Sequence, residues 1–311
     1  MKIITAEHFG ICFGVRDALA QAQALAREAP LTILGELVHN PIVREQLRAQ
    51  GVREESVEQA SGIGILPMAR AGQADHGLEA HATSARVMIT AHGTSDKRRE
   101  ALSKSGLAVA DGTCPLVRYA HEQLKRLVHA GYFPVVIGLA HHVEVRGLIG
   151  DFADAFVVNE SADIRNLPTR PRYGIVSQTT QPIDRVRALV AEIARAHPRA
   201  GIRFADTVCK PTKDRQLALK KLIEVAGVIV VVGGRQSNNT RQLVETCRTA
   251  GKRALHIERP EELQPEWFRG VGVVGLTGGT STLPETVEAV RKRLEEFSSA
   301  ERKQPPTERK S

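Results

Sequence analysis

Residues 110–115, Ala110-Asp111-Gly112-Thr113-Cys114-Pro115, return 95 residues later as 205–211, Ala205-Asp206-Thr207-Val208-Cys209-Lys210-Pro211. Both read Ala-Asp-x-x-Cys at the end of a short apolar run. Cys12 closes a similar run, KIITAEHFGIC, 102 residues before Cys114. Those intervals are each about one small domain, and self-similarity at such a period points to a repeated architecture.

The repeat extends outward from each cysteine. An amphipathic stretch of helical period follows: VRDALAQAQALAREA (15–29), VRYAHEQLKRLVHAG (117–131) and RQLALKKLIEVAG (215–227). A strand-like run comes next: LTILGEL (31–37), FPVVIGLA (133–140) and VIVVVGG (228–234). Each run leads to a polar residue at nearly the same offset. His39 lies 27 residues after Cys12, His142 lies 28 after Cys114, and Ser237 lies 28 after Cys209. A second strand with a polar end closes each unit, at Ala91-His92-Gly93, at Gln178-Thr179-Thr180 and at Gly278-Gly279-Thr280-Ser281.

Strands alternating with helices predict an α/β fold with parallel sheets and functional groups at the carboxyl ends of the strands. The expected organisation is three pseudo-threefold-related α/β units with small parallel sheets. Unit one covers 13–112, with an insertion at about 67–85. Unit two covers 113–207. Unit three covers 208–296 and is completed by the N-terminal strand 1–12. The polar, proline-containing tail 297–311 is expected to be disordered. Three such units would turn three cysteines and six polar strand ends toward one central cavity.

One cysteine per unit does not match the paired C-x-x-C spacing of zinc ribbons or ferredoxin runs. Three thiolates suit an iron–sulfur cluster or zinc and leave one metal position open, as in a catalytic site. The bland alternative is three buried, inert thiols, which the repeat argues against. Cys247, in QLVETCRTA, has no repeat partner and reads as core.

The polar strand ends form the second candidate set: His39, His92, His142, Thr179, Thr180, Ser237, Asn238, Asn239 and Ser281. Several stand just before helix starts, where backbone N–H groups favour anions. Few lysines or arginines accompany them, so a compact, multiply charged anion held by neutral or His donors is the natural guest, and a diphosphate fits. Glu144, two residues after His142, is either an ordinary surface carboxylate or a proton donor whose pKa burial raises.

A formal net charge of +8 invites a nucleic-acid reading. The excess is spread along helices and in the tail, without aromatic interleaving or a recognisable module, so solvated helix faces explain it. No apolar run approaches a membrane span, and the N-terminus lacks a signal peptide's apolar stretch, so a cytoplasmic location is expected. Four cysteines in a large chain of this kind are not a disulfide framework.

GICFGV, ELVHN, AHGTS, DGTCPLV, HHVEVRG, SQTT, VCKPTKDRQ, VVGGRQSNNT and TSTLPE, in this order, cover nearly the whole chain. Together they resemble the LytB, or IspH, family of 4-hydroxy-3-methylbut-2-enyl diphosphate reductases. The resemblance implies a 4Fe–4S cluster held by Cys12, Cys114 and Cys209, with one iron open to substrate. It implies diphosphate binding by His39, His92, His142, Ser237, Asn239 and Ser281, with Thr180 and Asn238 in the same donor set. It implies Glu144 as proton source and Thr179 hydrogen-bonding nearby. The implied reaction is a two-electron reductive dehydroxylation giving isopentenyl and dimethylallyl diphosphates, with electrons from ferredoxin or flavodoxin. Two places depart from the family pattern. The usual Gly-His-Ala-Gly-His-Pro-Glu reads Gly138-Leu139-Ala140-His141-His142-Val143-Glu144, with one His, one Gly and one Pro replaced, and Ser-Ser-Asn reads Ser237-Asn238-Asn239. The competing readings are a paralogue with the same cluster and another small phosphorylated ligand, or a non-enzymatic metal module that senses redox state.

Overall fold

The computed structural model describes residues 1–55 and 86–303; the insertion expected at about 67–85 lies outside the described residues. Three four-stranded, all-parallel sheets form, as the alternation of strand and helix patterns predicts.

The first sheet has the order β3-β2-β4-β5, with β2 Leu31–Leu34, β3 Arg53–Glu55, β4 Arg86–Ile89 and β5 Ala108–Asp111. The second repeats it as β7-β6-β8-β9, with β6 Phe133–Ile137, β7 Phe156–Val158, β8 Arg172–Ser177 and β9 Gly201–Phe204. The third contains β10 Val228–Val232, β11 Arg253–Ile257 and β12 Val273–Gly278, and its fourth strand is the N-terminal β1, Lys2–Thr5. In every sheet the order is second, first, third, fourth, so chain start and chain end share one sheet. The fourth strand in each case runs toward a cysteine.

By backbone packing the chain divides into two compact units. One comprises 1–12, 39–41 and 210–311; the other comprises 13–38 and 42–209 and holds the first two sheets. The central strands are buried on both faces and read accordingly. β10 is Val-Ile-Val-Val-Val and fully buried, as a strand covered on both faces requires. Helices α1 Phe13–Glu28, α4 Pro115–His129 and α7 Lys210–Val225 follow the three cysteines. α4 opens with Pro115 at its first position, where the missing N–H costs nothing. Helices α2 Pro41–Ala49, α5 Val143–Ile149 and α8 Asn238–Thr249 follow the first strand of each sheet, and α3 Asp96–Ser103 and α6 Ile183–Ala196 follow the third strands of the first two.

The last helix, α9, spans Pro284–Lys303 and so runs into the stretch expected to be disordered from 297. The reason is packing. Phe297 lies against Phe268 with ring centroids 6.2 Å apart. The buried Ser298 hydroxyl accepts from the N-terminal ammonium and donates to the Met1 carbonyl. A polar composition hid one apolar and one hydrogen-bonded anchor. Residues 304–311 lie outside the described residues.

Among the described residues no helix is long and apolar enough to cross a membrane.

Candidate functional site

Each candidate cysteine sits in the same backbone clasp. Its N–H donates at 3.0 Å to a carbonyl two residues past the sheet's third strand: Cys12 to Thr280, Cys114 to Ala91, Cys209 to Thr179. Two residues upstream, Gly10 N–H and Gly112 N–H donate to the last residue of that strand, Gly278 and Ile89. In the remaining copy Thr207 does the same through its hydroxyl, 2.7 Å from the Ser177 carbonyl. The clasp fixes each cysteine at the carboxyl end of its sheet, where parallel α/β folds place their chemistry. All three cysteines are half-buried and outside any disulfide, whereas Cys247 is fully buried and burial pushes its thiol up to about 12. Gly14 adds a cradle: a Cβ there would fall 2.4 Å from Cys114 Sγ. Only glycine leaves this sulfur its place.

The polar residues keep equivalent stations too. His39, His142 and Ser237 each lie five residues beyond the first strand of a sheet, β2, β6 and β10. His92, Thr180 and Ser281 each lie three residues beyond the third, β4, β8 and β12. His142 and Ser237 are helix caps. His142 Nδ1 accepts from Glu144 N–H at 3.2 Å, which leaves the ring's other nitrogen to carry the proton of the neutral form. Ser237 Oγ accepts from Thr240 N–H at 3.3 Å. Val143 occupies the first helical position, which proline also favours, so this departure from the family pattern leaves the helix start unchanged.

Within the compact unit that comprises 1–12, 39–41 and 210–311, Asn40 Nδ2 donates to the Ser281 carbonyl at 2.5 Å. Asn238 and Asn239 open α8, both buried. Asn239 Nδ2 and Ser281 Oγ are buried without a hydrogen-bond partner. A buried, unpaired polar group costs about 1–3 kcal/mol, so two such donors near one sheet end mark a place prepared for something else.

Within the compact unit that holds the first two sheets, His92 and His142 meet edge to face, with ring centroids 5.5 Å apart. Glu144 is 2 % exposed, in the first turn of α5. Burial raises its pKa to about 7, although two bonds from Thr179 pull the other way. Such a carboxyl exchanges a proton near neutrality, which an acid–base group needs. Thr180 Oγ1 accepts from Gln178 Nε2 at 3.3 Å, and Gln178 Oε1 accepts from Leu139 N–H at 3.2 Å. A cavity of about 270 Å³ opens beside Gly93 and Val143, the chain neighbours of His92 and Glu144, and no predicted site residue lines it.

Gln178, Asn40 and Gly14 were not singled out from sequence as site residues. Each sits inside or beside a quoted motif (SQTT, ELVHN, GICFGV), but only the folded chain shows what its side chain, or lack of one, does.

Comparisons with known proteins bear on this arrangement. Residues 3–295 match the family model described as LytB protein. The chain belongs to the LytB family. It is 35% identical over 303 residues to the 4-hydroxy-3-methylbut-2-enyl diphosphate reductase of Aquifex aeolicus, covering 96% of this chain and 97% of that one. It is 34% identical over 302 residues to the enzyme of the same name from Geobacter sulfurreducens, covering 96% and 99%. A solved structure of (E)-4-hydroxy-3-methyl-but-2-enyl diphosphate reductase, described as the terminal enzyme of the non-mevalonate pathway, superposes with a TM-score of 0.65 at 35% identity, covering 95% of this chain and all of that one. The reductase structure from Plasmodium falciparum gives a TM-score of 0.82 at 22% identity, covering 98% and 89%, and shows the shared fold.

LytB proteins are iron–sulfur enzymes, and the residues present suit such a group. Three half-buried cysteines outside any disulfide stand in equivalent clasps, and a glycine makes room for one sulfur. Thiolate donors of this kind favour iron–sulfur clusters.

Proposed function

We propose that this LytB protein is a 4-hydroxy-3-methylbut-2-enyl diphosphate reductase. It would take the substrate, two electrons and two protons to isopentenyl or dimethylallyl diphosphate and water. Family membership over nearly the whole chain supports the reaction, and the buried Glu144 carboxyl, held by two hydrogen bonds from Thr179, is the observation that carries the residue-level reading.

In this reading Cys12, Cys114 and Cys209 hold a 4Fe–4S cluster. When bound, that group supplies electrons and an open, Lewis-acidic iron for the leaving hydroxyl. The remaining work belongs to side chains. His39, His92, His142, Thr180, Ser237, Asn238, Asn239 and Ser281 hold the diphosphate, and Asn239 Nδ2 and Ser281 Oγ gain the partners they lack in the ligand-free chain. Anchoring the diphosphate positions the carbon that reacts, converting binding into orientation. Glu144, in its protonated form, delivers a proton, and Thr179 fixes its carboxyl with two hydrogen bonds. The three α/β units with boundaries near 112 and 207 are the matching domain reading. Ferredoxin or flavodoxin is the proposed electron donor, an acidic partner for a chain of net charge +8, and the proposed location is the cytoplasm.

Binding tests the reading independently of turnover. Inorganic diphosphate should raise the melting temperature of the iron-loaded protein in a concentration-dependent way, because a ligand that binds only the folded state stabilises it. The Ser281→Ala and Asn239→Ala variants should lose most of that shift. An equal shift in these variants would remove both residues from the anion site.

A further inference from the structure

The three cysteine clasps also differ in the residue that immediately precedes the cysteine. The residue just before each cysteine is Ile11, Thr113 or Val208, so only Cys114 is preceded by a hydroxyl. That hydroxyl is in use. Asp111 Oδ1 accepts from Thr113 Oγ1 at 2.5 Å and from Thr113 N–H at 2.9 Å, closing an Asx turn immediately ahead of Cys114. The other carboxylate oxygen faces two guanidinium groups. Arg118 Nη2, on α4, lies at 3.2 Å, and Arg99 Nε, on α3, lies at 3.3 Å. Asp111 therefore ties the loop that presents Cys114 to the helices on either side. The position equivalent to Asp111 before Cys12 is Phe9, which can make none of these bonds; Asp206 repeats the turn by accepting from Val208 N–H at 3.2 Å, but Val208 has no hydroxyl to add the second bond. Gly14 leaves room for the same sulfur.

We propose that Asp111 is a positioning residue for Cys114, fixing the direction of its thiol through Thr113 while Arg99 and Arg118 hold the carboxylate in place. The consequence for a bound cluster rests on the reading of Cys114 as a ligand; the positioning itself does not. Groups that orient metal ligands typically change metal affinity by about 10–100-fold when removed.

The test uses full-length protein prepared anaerobically and has two readouts. The first is the rate of iron loss to a ferrous chelator. The second is site-resolved alkylation of the four cysteines, followed by mass spectrometry before and after iron removal. Asp111→Ala should release iron roughly tenfold faster or more. It should also raise the alkylation rate of Cys114 while Cys12, Cys209 and the buried Cys247 keep their wild-type rates. Asp111→Asn keeps an acceptor for Thr113 and discards the ion pairs, so it should fall between wild type and Asp111→Ala. Thr113→Val, which preserves shape and removes the hydroxyl, should move Cys114 in the same direction. An unchanged Cys114 rate in Asp111→Ala overturns the proposal, and so does a rise at all four cysteines together, which would mean general loosening. Wild-type protein that takes up no iron would instead sink the ligand reading, and the alkylation pattern would still decide the role of Asp111.

Discussion

Thr179 donates twice to the Glu144 carboxylate: its N–H reaches Oε1 at 2.6 Å and its hydroxyl reaches Oε2 at 3.1 Å. Its carbonyl accepts from Cys209 N–H at 3.0 Å. One residue thus bonds both the Glu144 carboxyl and the backbone of Cys209, a candidate ligand.

If Glu144 delivers the proton, Glu144→Gln should lower turnover by roughly 10²–10⁴-fold, the usual worth of a positioned acid. Iron content should stay at the wild-type level, since no thiol is touched. Near-normal turnover in that variant would take Glu144 out of the mechanism.

The pH profile should carry the same signature. A donor must be protonated, so kcat should be highest below about pH 7 and fall as pH rises through it. Both Thr179 bonds lower the Glu144 pKa. Removing the hydroxyl in Thr179→Val should therefore move the falling limb to higher pH, whereas an unmoved limb would assign it to another group.

Stability against pH offers a check that needs no substrate. His121 is buried, and burial together with Lys125 and Arg99 lowers its pKa from 6.5 to about 4. Between those values the unfolded chain holds a proton there that the folded chain does not, so this group makes stability rise with pH. Glu144 does the opposite. Its pKa rises from 4.5 to about 7, so the folded chain holds the extra proton and stability falls with pH. Across pH 4.5–6.5 the two effects oppose one another. Iron-free Glu144→Gln protein should expose the His121 contribution, gaining stability with rising pH by up to about 1.4 kcal/mol per pH unit relative to wild type. Parallel curves for the two proteins in urea unfolding would contradict the opposed titrations.

The polar donors that follow β10 and β12 should separate binding from folding. Ser281 Oγ has no partner to lose in the ligand-free chain, so Ser281→Ala should leave stability unchanged or slightly raised. Its KM for the diphosphate substrate should increase by roughly tenfold, the worth of one hydrogen bond to a charged group. A loss of stability with unchanged KM would make Ser281 a structural residue.

Much of this arrangement is legible in the sequence because it is periodic. The cysteine, helix, strand and polar end recur at a fixed spacing, and that spacing anticipates all three parallel sheets. The edge strands gave little signal. β3 is Arg53-Glu54-Glu55, whose charges suit a sheet edge and mask the strand. The continuation of α9 past 297 depends on Phe297 and Ser298 finding Phe268 and Met1, contacts made across the length of the chain. Gly14 is equally silent in sequence: nothing near it says that its missing side chain makes room for a sulfur 100 residues away. Gln178 shows the middle case, where the motif SQTT marks a functional stretch without showing that its glutamine anchors Thr180 and the turn at Leu139.

The most direct measurement is anaerobic turnover of 4-hydroxy-3-methylbut-2-enyl diphosphate, with a chemical reductant, by protein whose iron and sulfide content has been measured. The account predicts conversion to isopentenyl and dimethylallyl diphosphates. It also predicts that Cys12→Ser, Cys114→Ser and Cys209→Ser each abolish conversion and intact iron loading, while Cys247→Ala preserves both. Full iron loading with no conversion of this diphosphate would contradict it and leave a LytB fold acting on another substrate.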